Sequence, residues 1–126
     1  VFMHGRNSFT LTPGERKQLR EFVERGGTIL ADSICASAAF TESFRAEMKQ
    51  IFPQNALEPI PATDAMFTTK YNGFDLSRVT RRQPRGAADG PLAAAKRVGP
   101  PELEGVKIAD RYGVIFSKYD LSCALE

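Results

Sequence analysis

One histidine, two aspartates and a cysteine have side chains suited to proton transfer or nucleophilic attack, and each falls beside the end of an apolar run. His4 closes Val1-Phe2-Met3, and Asp32 closes Thr28 to Ala31. Cys35 follows three residues later, and Asp120 follows the run that ends at Ser117. A thiol between a strand and a helix gains thiolate character from the helix N-terminus and a nearby base, so Cys35 is the candidate nucleophile. His4 is the only histidine and therefore the only candidate imidazole base. Asp32 and Asp120 are the carboxylates that would assist it, which completes the candidate catalytic set. Gly5, Ser33, Ser117 and Ser122 are small or hydroxyl-bearing positions near the same strand ends and are the candidate ligand-binding residues.

Each of these residues also has an ordinary structural role. A nucleophile elbow needs small neighbours because its turn is strained. Cys35 lies between Ile34 and Ala36, and a β-branched Ile34 tolerates positive φ badly. A free cysteine is usually a small core residue, a strand-end histidine usually makes ordinary hydrogen bonds, and a loop aspartate usually holds backbone amides. No paired CxxC or HExxH spacing exists, so no metal is assigned. GxGxxG, P-loop and GxSxG motifs are also absent, so no cofactor is assigned. Cys35 and Cys123, the two cysteines, could instead form a bridge or a close thiol pair.

The candidates meet only if the strands carrying them run parallel, because ligands of open α/β sheets bind at the carboxyl edge of the strands. Val1 to Gly5 reads as a buried strand. Thr12-Pro13-Gly14-Glu15 is a helix start, with Thr12 as cap, Pro13 at the first position and Glu15 completing a capping box. Leu19, Phe22 and Val23 give that helix a narrow apolar face, and Arg16, Lys17, Arg20, Glu21 and Glu24 read as its solvated side. Gly26 ends it, and Thr28 to Asp32 is a second short buried strand. A second helix runs from about Ala38 or Thr41 to about Ile51, with Phe40, Phe44, Met48 and Ile51 on one stripe. Leu57 to Pro61 reads as an edge strand and Asp64 to Phe67 as a helical turn. Arg81 to Gly105 reads as a flexible basic excursion rich in Pro, Gly and Ala, with a helical turn at Ala93-Ala94-Ala95. Val106-Lys107-Ile108 and Tyr112 to Ser117 then form a β-hairpin. Strand-helix-strand-helix order predicts an α/β domain around a mainly parallel sheet.

The chain's 126 residues suffice for one domain, 1–126, able to bury roughly two-thirds of its unfolded surface without metal or disulfide. A net charge of +2 is too small to argue for nucleic acid, and no aromatic residues interleave with the basic loop as single-strand readers require. No apolar run approaches the ~20 residues of a membrane span. The chain opens on Val1 directly into a strand-like run and stops after Cys123 without a terminating element, so it reads as part of a larger protein.

Phe2-Met3-His4-Gly5, Leu11 to Glu15, Gly26 to Asp32, Cys35, Phe40, Phe44-Arg45 and Phe52-Pro53 together resemble an uncharacterised bacterial family, number 4159 among the domains of unknown function. Asp110 to Ser117 and Tyr119 to Cys123 match its later segment. The resemblance implies a class I glutamine amidotransferase-like fold, which is a flavodoxin-like three-layer α/β/α sandwich, here as an incomplete domain. It also implies association with the cell envelope and partners among other domains or subunits of a larger bacterial assembly. In amidotransferases the nucleophilic cysteine follows a strand, as Cys35 does, but no late His-x-Glu pair is present. The expected function is a non-catalytic ligand- or protein-binding module. The alternatives are a hydrolase or transferase with Cys35 as nucleophile, and a structural domain stabilised by Cys35 and Cys123.

Overall fold

The capping residues at Thr12 and Glu15 start the first helix as their chemistry dictates. In a computed structural model of the chain, which describes residues 1–85 and 93–121 (backbone alone for 82–85 and 93–95), α1 spans Pro13–Glu24. Thr12 Oγ1 accepts from the Glu15 amide at 3.3 Å, and Glu15 Oε2 accepts from the Thr12 amide at 2.7 Å. Two orphan helix donors are thereby satisfied. Gly26, at φ +103°, then takes a conformation that a Cβ would disfavour. Helix α2 spans Ala38–Ile51, and its cap Ser37 accepts from the Phe40 amide at 3.4 Å.

The strands are β1 Phe2–Gly5, β2 Ile29–Ser33, β3 Glu58–Pro59, β4 Val79–Arg85, β5 Ala93–Gly99, β6 Leu103–Ile108 and β7 Arg111–Ser117. Five of them form one sheet in the order β1-β2-β7-β6-β3, while β4 and β5 pair separately. The β1–β2 and β2–β7 pairings are parallel, and β7–β6 and β6–β3 are antiparallel. The expected hairpin, edge strand and turn all form: β6–β7, β3, and a 3₁₀ turn over Ala65–Phe67 capped by Asp64.

The core follows from the two-residue alternation of the strands. Ile29, Ala31, Val106, Val114 and Phe116 project from one sheet face and are buried with Val23 of α1 and Phe40, Phe44, Met48 and Ile51 of α2. Phe44 stacks on Phe116 with ring centroids 4.6 Å apart. At Gly113 the β6–β7 register slips by one residue, and a side chain there would collide with Val23. The other face is open: β1 is not the buried strand expected over Val1 to Gly5 but an edge strand with Phe2 57% exposed, and Leu30 of β2 is exposed beside it, because no helix among the described residues covers this side.

This architecture corrects the predicted fold class. The chain is α/β, but its sheet is mixed, and among the described residues it carries two α-helices. The flavodoxin-like, class I glutamine amidotransferase-like three-layer sandwich around a mainly parallel sheet is not what forms. The reason lies after α2. Among the described residues no α-helix follows α2, so beyond β7 there is no helical crossover of the kind that each further parallel strand would need. The chain returns through an irregular segment and a tight hairpin, and a hairpin is necessarily antiparallel. The alanines at 93–95 lie in β5, paired with β4, and not in a helical turn. The cross-strand ladder outweighs the helical preference of alanine there. Arg16 and Arg20 are not simply solvated. Arg16 binds Glu47 of α2 in a bidentate pair at 2.7 and 2.9 Å, and Arg20 donates to the Gln50 carbonyl at 3.2 Å, because α2 packs alongside α1.

Candidate functional site

The parallel trio β1, β2 and β7 brings His4, Asp32 and Ser117 into one register row at the carboxyl edge. The 3₁₀ turn Ile34–Ala36 follows β2, and residues 118–121 follow β7. The expected meeting of strand ends therefore occurs.

What each side chain does there is specific. Asp32 is buried, and both of its oxygens accept from the Leu121 amide at 3.0 and 3.2 Å. Asp120 is buried, and its Oδ2 accepts from the Cys35 amide at 2.8 Å. Each carboxylate thus holds the loop that follows the other's strand, so the two loops are pinned crosswise. Cys35 is a partly buried free thiol, and no hydrogen bond reaches its sulfur among the described residues. Its backbone is left-handed (φ 54°, ψ 27°), as is that of Ala36 (φ 54°). The positive φ thus falls on Cys35 and Ala36 and not on the β-branched Ile34. His4 is exposed and stacks on Phe2, with ring centroids 5.2 Å apart and planes 17° apart.

The ligand-binding candidates are engaged within the chain. Ser33 is fully buried, donates to the Ser37 carbonyl at 3.0 Å and accepts from Thr41 Oγ1 at 3.3 Å. Ser117 Oγ donates to the Tyr119 carbonyl and accepts from the Tyr119 amide at 3.2 Å. Gly5 lies under Phe40, whose ring would stand 2.7 Å from an added Cβ. Ser122 and Cys123 lie outside the described residues.

A cluster beside the site was missed in sequence. Arg81 of β4 lies over the Tyr119 ring at 5.5 Å, pairs with Glu102 and donates to the Pro100 carbonyl at 3.1 Å. Lys118 belongs to the same group, 5.0 Å from the Tyr119 ring centroid and 3.4 Å from Glu102. The available signal was Tyr119 next to Asp120, an aromatic adjoining a candidate carboxylate. In sequence Arg81 is only the first charge of the basic excursion over Arg81 to Gly105.

Among the described residues no group of three or more His, Cys, Asp or Glu could hold a metal ion. No helix among them is long and apolar enough to cross a membrane. Compared with known protein families, residues 1–126 match the family model described as "Domain of unknown function (DUF4159)". No curated protein matches the chain.

Proposed function

We propose that this chain, which belongs to the DUF4159 family, is a non-catalytic binding module whose carboxyl edge is built for rigidity. The observation that carries this reading is the crosswise use of Asp32 and Asp120. Both carboxylates accept backbone amides of the opposite loop, which is a positioning role, and among the described residues no hydrogen bond joins a base to the Cys35 thiol. A nucleophile needs such a base within hydrogen-bond reach. His4, the one imidazole, is instead stacked on Phe2. The internal bonding of Ser33 and Ser117 adds to the rigidity of this edge.

A second reading is favoured by one observation, the left-handed backbone at Cys35 between a strand and a helix. Strained positions of this kind cluster at functional sites. In that reading Cys35 is the nucleophile of a hydrolase or transferase, with His4, Asp32 and Asp120 assisting.

An acyl-transfer measurement separates the two. The chain is mixed with p-nitrophenyl acetate in a Cys123→Ser background, and nitrophenolate release is followed by stopped flow. A binding module releases it at the same background rate with and without Cys35→Ala. A burst equivalent to the protein concentration that disappears in Cys35→Ala would establish the nucleophile and overturn the first reading.

A further inference from the structure

Among the described residues β1 is one of the two edge strands of the main sheet and is four residues long. Val1 turns both of its main-chain groups toward β2. Its amino group donates to the Thr28 carbonyl at 2.8 Å, and its carbonyl accepts from the Leu30 amide at 2.9 Å. In a parallel ladder the two groups of one residue point to the same side, and those of the next residue point to the other. Met3 therefore faces β2 as Val1 does. Phe2 and His4 direct their N–H and C=O groups outward, where no strand meets them among the described residues.

An open groove of about 490 Å³ runs beside this edge, lined by Phe2, Met3, His4, Arg6, Phe9 and Phe40 among others. Phe9 and Phe40 form an aromatic pair on the helix side, with centroids 5.2 Å apart. On the opposite side Phe2 stacks on His4 while 57% exposed. Arg6 stands exposed at the end of the strand, and no carboxylate lines the groove. A row of outward main-chain donors and acceptors is a template for another extended backbone, and apolar walls on both faces suit alternating side chains.

We propose that β1 is a docking edge, to which an extended segment of a partner protein adds as a further strand. That segment carries apolar residues at alternate positions and an acidic residue beside Arg6. The proposal rests on the binding reading above and names its partner class. The two fail separately, because the acyl burst reads Cys35 and the experiment below reads Phe2 and His4.

The probes are two blocked heptapeptides of alternating valine and threonine, one with glutamate at its amino end and one at its carboxyl end. Titration into the ¹⁵N-labelled chain is expected to shift and protect from exchange the amides of Phe2 and His4. N-methylating the alternate probe amides that would face β1 is expected to abolish binding. Arg6→Glu is expected to weaken binding by about tenfold or more. Phe2→Pro removes an outward N–H and no β2 bond, so it should block the probe while keeping the urea midpoint close to that of the parent. His4→Pro serves the same purpose if Phe2→Pro unfolds. No binding by either peptide, or binding that leaves both amides unprotected, overturns the proposal. So does protection of the two amides by concentration-dependent dimerisation alone, since the occupant would then be a second copy of the chain.

Discussion

Cys35 and Ala36 are consecutive non-glycine residues in the left-handed region, each of which costs on the order of 1–3 kcal/mol unless its surroundings enforce it. The enforcing contact is the Asp120 carboxylate on the Cys35 amide. Removing one partner of a buried hydrogen bond leaves the other desolvated and unsatisfied, which costs about 1–3 kcal/mol. Asp120→Ala is therefore expected to destabilise the chain by about that amount, read as a lowered urea midpoint with the Cys35 amide resonance displaced. Asp120→Asn retains an acceptor oxygen and should lose less. Equal stability of Asp120→Ala and the parent would show that the turn is held by other contacts. The candidate residues themselves were legible from their types, because strand-end His, Asp and Cys are few in a chain this short. Their roles were not, because a carboxylate that holds an amide and one that moves a proton are the same residue in sequence.

Between elements, the helix pair is joined by Arg16 of α1 and Glu47 of α2, whose side chain is 4% exposed. The Arg16 guanidinium holds the Glu47 carboxyl below the usual carboxylate range, against the opposing effect of burial. A carboxyl depressed in the folded state contributes stability above its unfolded pKa, near 4.5, and loses it as pH falls through the folded value. The pair should thus hold α1 to α2 at full strength at neutral pH and weaken only in acid, below the ordinary carboxylate range. Replacing Glu47 by Gln is expected to lower stability at pH 7 and to flatten the acid limb of a stability–pH profile measured by urea unfolding. An acid limb as steep as the parent's would remove Glu47 from its cause. The start of α1 was readable from Thr12 and Glu15 alone, since capping is a contact within four residues, whereas the Ser37 cap of α2 was not marked out. The Arg16–Glu47 pair spans 31 positions, and nothing local in α1 distinguishes Arg16 from its solvated neighbours.

Across the whole molecule, one core joins α1 and α2 to the central strands β2 and β7, and Phe44 lies at its middle against Phe116. Phe44 is fully buried, and deleting a buried aromatic ring costs about 3–5 kcal/mol in transfer and cavity terms. Phe44→Ala is expected to lose that much in chemical denaturation. A loss below about 1 kcal/mol would mean that the sheet and helices do not share this core. The loss should reach β7 as well as α2, so the amides of Ala31 and Phe116 should exchange faster in this variant.

The chain by itself determined those features that depend on near neighbours: the two helices and the cap of the first, the short buried strand β2, the late hairpin, the proline-bearing edge strand and the parallel setting of the first two strands. It also marked out the carboxyl edge, because strand ends follow from strand positions. Only tertiary structure decided the sheet's mixed sense, the placement of both helices on one face, the pairing of β4 with β5 and the crosswise engagement of Asp32 and Asp120. Each of these rests on contacts between residues tens of positions apart. Local propensity carries no record of such contacts, since their energy arises only when packing removes water from both partners together.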